Sequence, residues 1–364
     1  MLLRLADLYF EQGRSLYLKE MEAYDQEFDR CFNTEGCDTN TIQADNSGSR
    51  DWQVKSIKLY QTILRSYPRY ARADEAIYYL ASAQQDTGDR DSAVENYTKL
   101  VKLYPDSQYV PDSHVQIGEY YFDNNNAYKA LLAFKKATAF REAEKYSFAL
   151  YKLGWCYYNV GEYDKAISTM KSVVSYSMSQ ESEGTGNRLQ LQEEALKDLV
   201  RFFADAGELD QAYEYFSKLG KNDLIRKMLK RLATMYFEQG KFEQAVQTYR
   251  RLIAEDPQNP LNIDYQNEIV DAYNKMGDRE QQFSEIDRML KTYGKDSAWA
   301  RANASNPDAI KEAEEKIEKS IRGMAYFHHE RARKLSGDES KASYDLAYRA
   351  YNMYLDNFPE TQHA

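Results

Sequence analysis

Apolar residues recur along most of this chain at steps of three and four, the spacing that lays a single stripe along an α-helix. Between Ala73 and Pro105 the stripe reads Ile77, Leu80, Ala81 and Gln84, then Gly88, then Ala93, Tyr97 and Leu100. That order predicts a helix, a glycine turn, a second helix and a proline stop. Gly88 suits the left-handed conformation that ends a helix, Ala81 and Ala93 let the two helices approach closely, and Pro105 keeps the second from continuing.

The same order returns with Gly118, Tyr121, Ala130, Phe134 and Ala137, and again with Leu150, Leu153, Gly154, Tyr157, Gly161, Ala166 and Met170. A fourth copy reads Leu196, Leu199, Phe203, Gly207, Ala212 and Phe216; a fifth reads Leu229, Leu232, Ala233, Tyr236, Gly240, Ala245, Tyr249, Leu252 and Pro257. The nine residues Leu5 to Gly13 reappear as Leu232 to Gly240, changed only at the third and fourth places. The recurring alanines 93, 130, 166, 212 and 245 stand 37, 36, 46 and 33 residues apart. That matches the roughly 34-residue period of one helical repeat class, except where the polar run Ser177 to Asn187 intrudes.

The ordered small residue, tyrosine, glycine, alanine, aromatic and proline resemble tetratricopeptide repeats. The resemblance implies an all-α fold, a right-handed superhelix (α-solenoid) of about seven helical hairpins. It divides the chain into a degenerate N-terminal hairpin over 1–73 with a loop insertion at about 29–50, five regular units over 74–259 with a loop at 177–190, and degenerate helical repeats over 260–364. In the sixth unit Gln282 stands where alanine is expected, and 339–359 supplies a further second helix. Tyr67-Pro68-Arg69-Tyr70 and Tyr104-Pro105-Asp106-Ser107 also resemble the bacterial envelope repeat proteins of the BamD and TolA-binding type, although the lipid-anchoring cysteine of an envelope lipoprotein is not visible near Met1.

Composition narrows the partner. With 48 basic against 58 acidic side chains the formal net charge is −10, a field that repels phosphate backbones and argues against nucleic acid. No apolar run reaches the roughly 20 residues that span a bilayer. Protein or peptide segments remain as the expected ligands. In tetratricopeptide proteins the first helices of successive hairpins line the concave groove, which nominates Tyr78, Ser82, Gln85, Glu119, Phe122, Tyr151, Trp155, Tyr158 and Asn159 as partner-binding residues. They mix aromatic and polar groups as interface hot spots do. Further along, Glu194, Lys197, Arg201, Lys227, Lys230 and Glu238 make the matching face more charged. The lysine and asparagine clamp that some chaperone-binding repeats use for a terminal carboxylate is missing, because Tyr78 with Ser82, and Lys230 with Thr234, hold its places.

Nothing in the sequence requires catalysis. His328-His329-Glu330 lacks the spacing of a zinc protease and reads as a solvated helix face. Asp38, Asn40, Asp45 and Asn46 lack the glycine and distal glutamate of a calcium loop and read as turn chemistry. No cofactor or metal is expected. Cys31 and Cys37 flank a short loop and form a candidate disulfide, which survives only in an oxidising compartment; Cys156 reads as a buried hydrophobe. The expected role is a non-enzymatic scaffold in a bacterial envelope assembly, periplasmic or outer-membrane associated. A cytosolic adaptor and an accessory domain of a larger enzyme are the alternatives.

Overall fold

The computed structural model describes residues 1–179, 186–219 and 222–359. They are helical almost throughout, and no strand occurs among them. The chain divides into two compact units, Met1–Ala195 and Leu196–Ala364.

The first unit holds α1 (Leu2–Phe32), α2 (Ser47–Ser66), α3 (Ala73–Asp86), α4 (Arg90–Leu103), α5 (Val110–Asp123), α6 (Ala127–Ala137), α7 (Tyr146–Asn159) and α8 (Tyr163–Ser179). Consecutive helices pair as hairpins, and each hairpin packs on the next through α2 with α3, α4 with α5 and α6 with α7. The division between the units falls within α9 (Gly186–Ala206). The second unit continues with α10 (Leu209–Lys218), α11 (Asn222–Glu238), α12 (Phe242–Glu255), α13 (Asn262–Met276), α14 (Arg279–Tyr293), a short α15 (Ala298–Ala302), α16 (Pro307–Lys334) and α17 (Gly337–Asn357). Here α11 pairs with α12, α13 with α14 and α16 with α17. The architecture is an all-α solenoid.

Two local devices recur in the regular hairpins. In the turn, one residue adopts positive φ: Gly88, Asn125, Gly161, Gly207, Gly240 and Gly277 in successive units. The amide after it donates to a carbonyl five residues back, as in Asp89 to Gln84 at 2.8 Å, Asn126 to Tyr121 at 2.8 Å and Lys241 to Tyr236 at 2.8 Å. These bonds satisfy carbonyls that the helix end leaves open. On the second helix, Ala93, Ala130, Ala166, Ala212 and Ala245 are all buried, which permits close helix approach. Gly118 serves the same purpose on a first helix: a Cβ there would lie 2.7 Å from the ring of the fully buried Phe134.

The insertion expected over 29–50 is shorter than that, because α1 runs on to Phe32 and α2 begins at Ser47. Cys31 and Cys37 are joined across its start, with Cα atoms 5.4 Å apart. Asp38 and Asp45 bond their own turns, accepting from the amides of Asn40 and Ser47. Of the loop expected over 177–190, residues 177–179 and 186–190 are helical, and 180–185 lie outside the described residues. Cys156 is fully buried, and burial pushes its thiol up to about 12.

One expectation is corrected. His328 does not sit on a solvated face: it is 1% exposed, while His329 beside it is exposed and lies 3.0 Å from the Tyr351 hydroxyl. The reason is helical period. Ile317, Ile321, Met324, His328 and Ala332 form the buried stripe of α16, so His328 takes an apolar position. No helix among the described residues is long and apolar enough to cross a membrane.

Candidate functional site

In the first unit the first helices α1, α3, α5 and α7 each contribute one face, and bonds between successive hairpins tie these faces together. Tyr78 of α3 stacks on Tyr109 at 4.5 Å and meets Tyr79 and Tyr97 edge-on at 5.3 and 5.9 Å. Its hydroxyl donates to Asp112 of α5, and Asp112 is paired in turn with Lys145 at 2.6 Å, at the start of α7. Three hairpins are thereby linked through one carboxylate. Burial, then the charge of Asp112, pushes the Tyr78 hydroxyl well above the ordinary phenol range, so it stays a donor.

Ser82 is buried and accepts from the Arg14 guanidinium at 3.2 Å; the same guanidinium pairs with Asp86 at 3.1 Å. Gln85 donates to Gln116 of α5 at 2.9 Å. Glu119 is half-buried, and desolvation raises its carboxyl above the usual range against the opposing pull of Lys152 and Lys145. Lys152 of α7 also stands 4.6 Å from the ring of Phe122. Tyr151, Trp155 and Tyr158 are half-buried on α7 and Asn159 is exposed; Trp155 and Tyr158 meet edge-on at 5.4 Å. Of the nominated residues, Tyr78, Ser82, Gln85 and Phe122 are engaged with a neighbouring hairpin.

Sequence reasoning missed the partners that engage them: Arg14, Asp112, Gln116, Lys145 and Lys152. A signal for several was available. Tyr78 and Asp112 are 34 residues apart and Gln85 and Gln116 are 31 apart, about one repeat period, so complementary side chains one period apart mark the ladder.

The second unit is built differently. Gln239 donates to Asp205 at 2.6 Å across a 34-residue separation, and Lys241 donates to the Ala204 carbonyl at 2.7 Å. Lys197, Arg201, Lys227, Lys230 and Glu238 line one open cavity of about 690 Å³, as the charged pattern of α9 and α11 implies. Deeper, Glu285 of α14 is 1% exposed and joins three helices, accepting from Arg250 of α12 at 2.7 Å and Gln266 of α13 at 2.8 Å. A buried carboxylate is tolerable only with such partners.

The tetratricopeptide-repeat model matches residues 75–107, 148–176 and 231–259, the regions of α3 with α4, α7 with α8, and α11 with α12. These three spans resemble tetratricopeptide repeats, and an all-α solenoid is the fold that such repeats build. No curated protein matches this chain in sequence. Among solved structures it is similar to MamA, at 21% identity over 54% of this chain and 93% of that one, with a TM-score of 0.36. It is similar to YrrB, a repeat protein with an unusual peptide-binding site, at 16% identity over 56% and 96%, TM-score 0.36. It also resembles the C-terminal part of a tetratricopeptide protein from Cytophaga hutchinsonii, at 13% identity over 79% and 97%, TM-score 0.36.

Proposed function

We propose that this protein is a non-enzymatic scaffold of a bacterial envelope assembly, periplasmic or outer-membrane associated, which holds peptide segments of its partners along the first-helix face of the first unit. The observation that carries the reading is the state of that face. Aromatic and polar side chains on α3, α5 and α7 are held in place by one another while remaining partly exposed. A platform whose rotamers are already fixed loses little entropy on binding. The Cys31–Cys37 bond supports an oxidising compartment, since such bonds are rare in reducing cytosol. Outer-membrane protein assembly, a Tol-like system, secretion and gliding machinery are the candidate processes for such a scaffold.

The test is crosslinking and affinity capture from native cells with wild type and a Tyr151→Ala/Trp155→Ala/Tyr158→Ala variant whose fold is verified by circular dichroism. Capture of an envelope protein by wild type, lost in the folded variant, supports the reading. Unchanged capture moves binding off this face; capture of cytosolic proteins alone removes the envelope assignment.

A further inference from the structure

The repeat order breaks at one place in the second unit, and a cavity lies there. In five hairpins an alanine on the second helix closes the pair; in α14 that place is held by Gln282. Gln282, Arg279 and Ile286 of α14, Asn267, Asp271 and Asn274 of α13, and Lys316, Lys319, Gly323, Phe327 and His328 of α16 are among the residues around a cavity of about 420 Å³.

Two features of its wall point to a ligand. His328 is 1% exposed, and neither ring nitrogen has a hydrogen-bond partner among the described residues. The Arg279 guanidinium lies 4.7 Å from the Phe327 ring, which meets the His328 ring edge-on at 5.1 Å, and its buried Nε also has no partner. Gly323, inside α16, has no heavy atom within 4 Å of where a Cβ would stand. Gly323 is exposed, so the wall is open to solvent at this point.

The polar groups choose the chemistry. Asp271 is the one carboxylate among the described lining residues. Of the cations, Lys316 is already paired with Asp264 and Glu312, and one nitrogen of Arg279 donates to the side-chain oxygens of Asn274 and Gln282, which leaves Lys319 and the remaining Arg279 N–H groups toward the cavity. Burial, then the neighbouring Arg279 and Arg331, pushes His328 down to about 4, so its ring is neutral at pH 7 and offers one N–H donor. An anion would pair with Arg279 and accept from His328, and charge-assisted bonds of this kind are the strong ones. The amide of Asn267 on the same wall suits a peptide backbone, while the Gln282 oxygen already accepts from Arg279 at 3.0 Å.

We propose that the cavity between α13, α14 and α16 is a carboxylate-binding pocket that receives a glutamate or aspartate side chain of a peptide segment held by the scaffold, with Arg279 and His328 as its donors. The proposal rests on the reading of this chain as a peptide-binding scaffold. It assigns the acidic class to at least one ligand residue.

The experiment titrates full-length protein with N-acetyl-glutamate N-methylamide and follows the His328 imidazole by NMR, with N-acetyl-glutamine N-methylamide and inorganic phosphate as parallel probes. The expected result is a saturable His328 shift with the glutamate probe and binding about tenfold or more weaker with the glutamine probe, the loss of one charge-assisted pair. Gly323→Leu, which fills the room while keeping every donor, should abolish the shift with far-UV circular dichroism unchanged. Arg279→Gln should weaken binding about tenfold or more. An unmoved His328 signal, an equal response to the glutamine probe, tighter binding of phosphate than of the glutamate probe, or an unaffected Gly323→Leu variant would each overturn the proposal. If these fail while wild type still captures its envelope partner, only the pocket falls; if capture fails too, the scaffold reading falls with it.

Discussion

The two units use one repeat order and close their first-helix faces in different ways. In the first unit the face is sealed by its own side chains: Tyr78 with Asp112 and Lys145, Arg14 with Ser82 and Asp86, Gln85 with Gln116. In the second, the comparable strength lies deeper, at Glu285 between Arg250 and Gln266, and the wall above it keeps His328 and the Nε of Arg279 without partners. Complementary residues one period apart occur in both units, since Gln239 and Asp205 are 34 residues apart and Arg250 and Glu285 are 35. What distinguishes the second unit is that its unpartnered His328 and Arg279 Nε lie at the wall of one cavity.

Substitutions can separate these two modes if hydrogen exchange on the full chain reports each unit's stability. The largest effect is expected from Arg250→Ala, which strips a cation from the buried Glu285 carboxylate. The second unit should lose about 3 kcal/mol and the first none. Next is Gly118→Ala. The new Cβ would stand 2.7 Å from the Phe134 ring, a clash inside a filled core, and should cost the first unit about 2 kcal/mol. If either change lowers protection equally in both units, the comparison fails.

Acid should weaken both units through one histidine each. Burial pushes His114 and His328 down to about 4, below the roughly 6.5 of an unfolded histidine. Between these values the unfolded chain binds more protons than the folded one, so this stability is complete above about pH 6.5 and is lost as pH falls toward 4. The full effect is on the order of 3 kcal/mol per histidine. His114→Gln should flatten the pH dependence in the first unit, and His328→Gln that in the second. Smaller still, Tyr78→Phe removes one bond of the ladder and should cost the first unit about 1 kcal/mol. Gly323→Ala should have the opposite sign, stabilising α16 by about 0.5–1 kcal/mol, since nothing lies where its methyl would go.

Much of the fold was legible because close packing leaves a mark on composition. The alanines from Ala93 to Ala245 and the turn glycines carry their geometric reasons in their identity. Asn125 shows where that reading thins. It takes the positive-φ position at +57° that glycine holds in other turns, and the signal lay in Asn124-Asn125-Asn126, where the last asparagine caps α6. The site was less legible for a physical reason. Helical period tells which residues face a groove but not whether a neighbouring hairpin already holds them, and Ser82 is buried beneath Arg14 for that cause. His328 escaped because His329 and Glu330, which follow it and are exposed, mask its place on the apolar stripe of Ile317, Ile321 and Met324.

If partners bind along the first helices of the hairpins, as proposed, hydrogen exchange on the protein alone and with the captured partner bound should show new protection on α3, α5 and α7, with α4, α6 and α8 unchanged. Protection confined to those second helices, or to the segments between hairpins, would contradict it.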